Sequence, residues 1–181
     1  EILWPKVETE YRDELLGLAD GLRQKGSPLD LWDVVALNGW MELAWYYVPV
    51  FDKRNNIQTP PSVQAPEHCS AFIATGKFTK DGRIVTAHNA WVDFMVGERW
   101  NIIFDLTPKN GHRILMDGYP GLIHSGDDFG INSAGIVITE TTISAFVGFD
   151  ETGIPEFVRA RKSLQYGDSI DSVVAILKDG N

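Results

Sequence analysis

The chain has 181 residues, of which 44% are hydrophobic and 23% charged, and its formal net charge is −9. This composition fits one globular domain with at most an appendage. The negative charge argues against a nucleic-acid partner, because phosphate binding needs clustered lysine and arginine. No apolar run approaches the roughly 18 residues of a membrane span. The densest basic group is predicted to be a solvated helix face: Arg159, Arg161 and Lys162.

The front of the chain is predicted to be helical, and residues 1–51 are assigned to an N-terminal helical segment. Apolar residues at helical spacing predict a first helix from about Val7 to Lys25, which Gly26 closes. Ser27-Pro28 is predicted to begin a second helix that runs to about Tyr47. The tryptophans of this second helix are expected in the core: Trp32, Trp40 and Trp45.

The composition changes over residues 52–68, which are predicted to form a linker or a segment resembling a propeptide. Residues 69–181 are predicted to form the N-terminal part of the main domain. Alternating apolar residues and glycine-bearing turns predict strands in the following ranges: Cys69–Thr75, Arg83–His88, Asn101–Leu106, Arg113–Met116 and Ile136–Ser144. Two helices are predicted to follow, one from near Pro155 and one from Asp168-Ser169.

The order of these elements predicts the fold class. Helices, a linker, strands and further helices follow one another in segregated blocks, which is typical of an α+β fold with an antiparallel sheet. The helices after the strands can cover only one face of the sheet. We therefore expect the sheet to be incomplete in this chain, and we expect the remaining C-terminal part of the same protein to be its partner.

Cys69 is the single cysteine of the chain and the candidate nucleophile. A thiolate attacks carbonyl carbon readily once a base has taken its proton. By composition alone, a lone cysteine in an apolar strand is more simply a small buried hydrophobe. The position of Cys69 favours the nucleophile, because it begins a strand directly after the linker. Cleavage there would give it a free α-amine, whose pKa of about 7.7–8.0 suits a general base.

Short blocks around Cys69 carry a resemblance to a known family. In chain order they are His68-Cys69-Ser70-Ala71, His88-Asn89-Ala90-Trp91, Tyr119-Pro120-Gly121, Ser125-Gly126-Asp127-Asp128-Phe129 and Glu140-Thr141-Thr142-Ile143. Together they resemble the phospholipase B-like family over about residues 67–145. The segment Gly130–Ile136 also resembles the wider group of bile salt hydrolases, penicillin V acylases and acyl-coenzyme A:6-aminopenicillanate acyltransferases.

The resemblance implies the αββα sandwich of N-terminal-nucleophile (Ntn) hydrolases. It implies self-cleavage between His68 and Cys69, after which the new α-amine serves as the base. The thiolate of Cys69 would then open an amide or ester bond of a small acylated substrate through an acyl-enzyme, as in lipid degradation, without a metal or cofactor. It also favours a location outside the cytoplasm. Two alternatives remain open, an acyltransferase of the penicillin acyltransferase type and an inactive acyl-binding or interaction module.

Further site residues follow from the same resemblance. His88, Asn89 and Trp91 join Cys69 as candidate catalytic residues, although the bile salt hydrolase branch has Arg and Asp at the places of His88 and Trp91. The candidates near the oxyanion site, taken as one group, are Thr139, Glu140 and Thr141. An apolar acyl pocket is predicted to be lined by Trp91, Phe94, Met95 and Trp100. Packing or backbone satisfaction is the structural alternative for His88, Asn89, Trp91 and the pocket residues.

Other arrangements are weaker. Asp127-Asp128 is better explained by a turn than by an acid/base pair. A zinc site built from His68, Cys69 and His88 lacks a fourth ligand. A papain-like protease needs its histidine far downstream of the cysteine, and no histidine lies beyond His124, which is assigned to a turn without a role.

Overall fold

The computed structural model describes residues 2–58, 69–92, 94–126, 128–142 and 148–181. After a short 3-10 turn at Trp4–Lys6, its helical elements are α1 Thr9–Gln24, α2 Leu31–Asn38, a π-helical segment Glu42–Tyr47, α3 Val48–Arg54, α4 Phe94–Arg99, α5 Glu156–Tyr166 and α6 Ile170–Lys178. Its strands are β1 Cys69–Gly76, β2 Gly82–Ala90, β3 Ile102–Leu106, β4 Ile114–Gly118, β5 Phe129–Asn132 and β6 Val137–Thr139. No helix in these ranges has both the length and the apolar character that crossing a bilayer requires.

The first helix forms where apolar spacing predicts it. The residues that recur at intervals of four on its buried face are Tyr11, Leu15 and Ala19. The helix ends in a Schellman motif, in which Gly26 has φ +76° and the N–H of Ser27 donates to the carbonyl of Leu22. The predicted helix over Val7–Lys25 is therefore confirmed, with slightly shorter bounds.

The single second helix predicted from Ser27 to Tyr47 is wrong. α2 begins at Leu31 because the carboxylate of Asp30 accepts the N–H of Trp32 at 2.7 Å and forms a capping box with Asp33. It ends before Gly39, where an added Cβ would lie 2.9 Å from Cδ1 of Leu3. The chain then continues as the π-helical segment, so two helical pieces replace the one expected, and α3 follows directly after them.

The core position expected for the tryptophans of this region is also wrong for two of them. Trp32 is 51% exposed and Trp40 is 41% exposed. Trp32 packs edge-to-face on Trp4, and Trp40 packs in the same way on Trp45, with ring centroids 4.9 Å apart in the second pair. These rings therefore meet one another near the surface and leave aromatic faces accessible.

The strands form two antiparallel sheets, a hairpin of β1 and β2 and a four-stranded sheet in the order β3-β4-β5-β6. This confirms the α+β class, while the αββα sandwich stays a prediction. The predicted turns at Lys80-Asp81-Gly82 and Lys109-Asn110-Gly111 connect the expected strands. Sequence reasoning missed α4 and β5. The strand predicted over Ile136–Ser144 is the shorter β6, and residues 143–147 lie outside the described part of the chain.

Helix α5 joins two hydrophobic cores. Near its start, Phe157 and Val158 are buried against α1 and α2. Near its end, Leu164 packs on Ile114 and Met116 of β4. The N-terminal helices therefore share a core with the segment that follows the strands, and the four-stranded sheet packs on the other end of the same helix.

The basic group on α5 is not the solvated face that its composition predicts. The side chain of Arg161 is 4% exposed, and its Nη1 donates to the carbonyl of Ile123 at 2.6 Å and to Glu14 Oε1 at 3.0 Å. Arg159 donates to two backbone carbonyls, and Lys162 pairs with Glu8 at 2.6 Å. Amphipathic spacing alone did not show these partners, because all of them lie outside α5, and Glu8, Glu14 and Ile123 are at least 38 residues away in sequence.

His124, assigned to a turn from sequence, lies at a bend, and its side chain packs in the interior beside Phe157 with ring centroids 6.1 Å apart. Burial lowers the pKa of His124 to about 4, although hydrogen bonds with the backbone of Asn38 and Ser125 raise it. The imidazole is therefore neutral at physiological pH and belongs to the core of the fold.

Arg161→Ala should lower the free energy of unfolding by about 3 kcal/mol, because it leaves a buried carbonyl and Glu14 without their cation. Urea unfolding measures this. The matched control is Arg23→Ala, since Arg23 is 76% exposed and pairs with Asp20 on the surface of α1. That control should change stability by less than about 0.5 kcal/mol. Equal losses in the two variants would contradict the structural role of Arg161.

Candidate active site

Cys69 lies in the wall of a cavity of about 1300 Å³. It is the first residue of β1 and is half-buried. The cavity draws its walls from parts of the chain that are distant in sequence. Among the residues that line it are Trp40, Glu42, Trp45, Cys69, Trp91, Val92, Val96, Asp128, Glu140, Thr142, Phe149, Glu156 and Arg159.

The register of the β1–β2 hairpin decides which candidates share a face with the thiol. Cys69 lies opposite Ala90, and His88 lies opposite Ala71, so Cys69 and His88 are diagonal neighbours on one face. Such diagonal Cα pairs are about 7 Å apart. Asn89 lies on the other face, where its amide donates to Ser70 Oγ at 3.4 Å. The hairpin therefore brings His88 towards Cys69 and turns Asn89 away from it.

A hydrogen bond anchors His88 to the four-stranded sheet. Its Nε2 donates to the carbonyl oxygen of Glu140 at 2.6 Å, just beyond the end of β6. The N–H of Glu140 in turn donates to the carbonyl of Asp128 at 3.0 Å. Because a carbonyl can only accept, Nε2 carries the proton and Nδ1 is the acceptor atom of the neutral ring. This contact fixes both the tautomer and the orientation of His88.

The carboxyl groups at the cavity have shifted pKa values. Burial raises the pKa of Glu156 to about 7, the charge of Glu42 adds to this, and Arg159 opposes it. Burial also raises the pKa of Glu42, while a hydrogen bond with the backbone of Glu156 and the charge of Arg159 lower it. For Glu140, burial again raises the pKa, while the side chain of Asp128 and the charge of His88 lower it.

The remaining predicted residues divide between the cavity and the surface. Trp91 lines the cavity, but Phe94, Met95 and Trp100 are not among the lining residues, and Phe94 is 95% exposed. Val92 and Val96 occupy the wall from the same stretch. These two valines carry no charge or motif that would have separated them from core residues in the sequence.

The group proposed near the oxyanion site is spread along the end of β6. Thr139 is its last residue and pairs with Phe129, Glu140 lines the cavity, and Thr141 is exposed. Thr142, which sequence reasoning did not single out, also lines the cavity. Alternation along an extended chain could have indicated that Glu140 and Thr142 share a side.

Some candidates fall outside the described residues. His68, which contributes one side of the predicted cleavage site, is one, and Asp127 is another. Asp128 does lie in the cavity wall and has a left-handed backbone, with φ 56°. Within the described ranges, no group of three His, Cys, Asp or Glu side chains is arranged to hold a metal ion.

Comparison with known proteins places the chain in a family. The family model for phospholipase B matches residues 2–150. The chain belongs to the phospholipase B family. The match covers the N-terminal helices as well as Cys69, the β1–β2 hairpin and the residues at the end of β6, so these elements are all part of the family's sequence pattern.

Individual relatives of this phospholipase B family member have low sequence identity to it. An uncharacterized protein of Archaeoglobus fulgidus is 28% identical over 178 residues, which are 95% of this chain and 28% of that protein. The putative phospholipase B-like 2 of Rattus norvegicus is 33% identical over 99 residues, 49% of this chain and 16% of the rat protein. Phospholipase B-like protein C of Dictyostelium discoideum is 29% identical over 142 residues, 70% of this chain and 23% of that protein. The chain thus spans less than a third of each of these relatives.

Glu156 should make the protein less stable at neutral pH than at mildly acidic pH. Its pKa is about 7 in the folded chain against an ordinary value of 4.5, so the folded state holds the extra proton between these pH values. Stability contributed by this group is therefore present below about pH 4.5 and is lost as pH rises through 7. Glu156→Gln should gain roughly 1–2 kcal/mol over the wild type at pH 7.5.

The measurement is urea unfolding of the wild type and the Glu156→Gln variant between pH 4.5 and 8. The difference between the two should grow with pH across this range. Glu98→Gln is the matched control, because Glu98 is an exposed glutamate of α4. A stability difference for Glu156→Gln that does not depend on pH would contradict the raised pKa.

Proposed function

We propose that this chain carries the nucleophile of an acyl hydrolase of the phospholipase B-like kind, with Cys69 as the attacking residue. The observation that supports this most is the position of Cys69, which begins a strand and lies in the wall of a large cavity. A cysteine that served only as a core hydrophobe would not need this cavity. The curated relatives named phospholipase B-like support the hydrolase class.

The proposed reaction is nucleophilic catalysis. The thiolate of Cys69 attacks the carbonyl of an amide or ester and forms a tetrahedral intermediate. Collapse of the intermediate expels the amine or alcohol, which takes up the proton, and leaves an S-acyl enzyme. A water molecule then releases the acid and regenerates the thiol. An acyltransferase would follow the same path to the acyl-enzyme and would pass the acyl group to an amine, so the products distinguish the two activities.

Self-cleavage between His68 and Cys69 supplies the base in this proposal. The thiol attacks the carbonyl of His68, the peptide nitrogen leaves as the α-amine of Cys69, and water opens the resulting thioester. The free amine has a pKa near neutrality and lies on the same residue as the thiol. Before cleavage the nitrogen is an amide and cannot accept a proton, so the uncleaved protein should be inactive. The Ntn-hydrolase sandwich is part of the same proposal.

The rest of the longer protein is the proposed partner of the sheet. Both faces of the β1–β2 hairpin expose apolar side chains, with Ile73 and Ile84 on one face and Phe72 and Val85 on the other. Apolar surface of this extent is normally covered. Residues 1–181 alone should therefore bind a fluorescent dye for apolar surface more strongly than the full-length protein. Equal dye binding would count against this partner.

A location outside the cytoplasm is also proposed, and cell fractionation tests it.

Cys69→Ala in the full-length protein should abolish both cleavage and hydrolysis, the latter by at least about a thousandfold. Intact mass followed over time should show two fragments that divide before Cys69 in the wild type alone. Activity on a panel of esters and amides of different acyl lengths should rise as the fragments appear. Full activity from an unbroken chain would overturn the self-cleavage step. No acyl-enzyme from any substrate would favour an inactive acyl-binding module.

His88 should position the thiol or the amine of Cys69 and should not itself accept the proton. His88→Gln keeps an N–H that can reach the carbonyl of Glu140, so activity should stay within about tenfold of the wild type. His88→Ala removes that hydrogen bond and should cost about a hundredfold. The two variants, read by kcat and its pH profile, separate positioning from proton transfer.

Asn89→Ala is the control for this series, because Asn89 lies on the opposite face of the hairpin and should affect activity little. Loss of the acidic limb of the pH profile in both His88 variants, with equal falls in kcat, would instead make His88 the general base. The amine of Cys69 would then be unnecessary.

A further inference from the structure

The proposed cleavage between His68 and Cys69 would leave two parts of the chain that share one hydrophobic core. The buried members of this core before the cleavage point are Val7, Tyr11, Leu15, Ala19, Val34 and Val35, and those after it are Ile123, Phe157 and Val158. Because separation of the two parts would return these side chains to water, the hydrophobic effect favours their association without the peptide bond.

Buried hydrogen bonds cross between the same two parts. Asn38, the last residue of α2, is 2% exposed, and its Nδ2 donates to the carbonyl of Gly121 at 2.9 Å. Its Oδ1 accepts the N–H of Ile123, also at 2.9 Å. Arg161 of α5 reaches Glu14 of α1 from a buried side chain. Each of these contacts requires one relative position of the two parts, so the pairing is specific as well as apolar.

Further polar contacts join the start of α1 to the end of α5. Lys162 donates to Glu8 at 2.6 Å. Gln165 Nε2 donates to Glu10 Oε2 at 3.0 Å, and the hydroxyl of Tyr166 donates to Oε1 of the same glutamate at 2.8 Å. The helix that precedes the cleavage point and the helix that follows the strands are therefore held together by polar contacts in addition to their shared core.

The part before the cleavage point also forms a wall of the cavity beside Cys69. Trp40, Met41 and Trp45 are among the lining residues, and the rings of the two tryptophans pack edge to face. These residues lie in or directly before the π-helical segment Glu42–Tyr47. π-Helical turns are rare and occur frequently at functional sites. Release of this part of the chain would remove the wall and open the cavity.

We propose that residues 2–58 stay bound after cleavage as a permanent part of the enzyme, and that Trp40, Met41 and Trp45 form the wall on which the acyl chain of the substrate packs. The inference rests on the proposed acyl hydrolase for the cleavage and for the acyl ligand, whereas the packing between the two parts depends on neither. Indole rings and a thioether suit a hydrocarbon chain, because burial of apolar surface favours binding. The two parts then share the site, with the nucleophile on one and this wall on the other.

Gel filtration of the cleaved full-length protein tests whether the two parts stay together. Because a large, specific and buried interface supports tight binding, the fragments should elute together even at about 100 nM and should separate only in denaturant. The Cys69→Ala variant, with a recognition sequence for a site-specific protease placed within residues 59–67, gives the same test without self-cleavage. Separate elution of the fragments after the protease cut would overturn the proposal.

Binding of dodecanoate to the full-length protein, measured by isothermal titration, tests the wall. Trp45→Ala removes a large apolar contact and should weaken binding by at least about tenfold. Trp32→Ala is the matched control, because Trp32 also packs edge to face on a tryptophan, Trp4, but is not among the lining residues. It should change binding by less than about twofold.

Met41→Ala is a second variant of the wall and should weaken dodecanoate binding by about threefold or more. Binding is compared only among variants that elute as the wild type does, which separates loss of the wall from loss of the fold. Equal effects of the lining variants and Trp32→Ala, or no dodecanoate binding by the wild type, would overturn the role of the wall.

Failure of this inference can be distinguished from failure of the proposed hydrolase. An active protein whose fragments separate, and whose part after the cleavage point keeps the activity, would contradict the inference and leave the hydrolase standing. An uncleaved, inactive wild type would contradict the hydrolase, while the protease-cut variant and dodecanoate binding would still decide the inference.

Discussion

The buried guanidinium of Arg161 holds together the parts of the chain that form the cavity. It joins α5 to α1 through Glu14 and to the segment before β5 through the carbonyl of Ile123. The same α5 carries Glu156 and Arg159, and the same segment leads to Asp128. A buried cation is costly unless its donors have hydrogen-bond partners, so the positions of these partners are tightly constrained. The positions of these parts of the cavity wall therefore depend on the hydrogen bonds of Arg161.

The buried carboxyl groups at the cavity lower the stability of the fold. Burial raises the pKa of both Glu42 and Glu156, and the charge of Glu42 adds to the shift at Glu156, although apolar residues at the same places would pack without that cost. Sites that bind or react commonly keep such unfavourable groups, because the ligand relieves them. The raised pKa of Glu156 and the buried Oε2 of Glu42, which makes no hydrogen bond within the described residues, are the unfavourable groups at this cavity.

The sequence predicted the elements whose signals are local. α1 follows from apolar residues at intervals of four and a closing glycine, and the hairpins follow from glycine turns between alternating strands. β5 was missed because it has four residues and contains Gly130, where an added Cβ would lie 2.5 Å from Leu164. Cys69 and His88 could be proposed from motif resemblance. Glu42 and Glu156 could not be placed at the cavity from the sequence, because they lie on elements that are distant in the chain and meet only in the fold.

Glu140 shows how the backbone of a residue can hold a structure together where a motif draws attention to its side chain. Sequence resemblance places it near an oxyanion site, yet a carboxylate repels an oxyanion unless it is protonated. In the structure its backbone does the positioning, since its carbonyl accepts from His88 and its N–H donates to Asp128. The backbone therefore fixes the hairpin of Cys69 to β6 whatever the side chain is, and this leaves the carboxyl group to face the cavity. In the proposed mechanism a donor for the oxyanion would come from a neighbour, and Thr142 lies in the same wall.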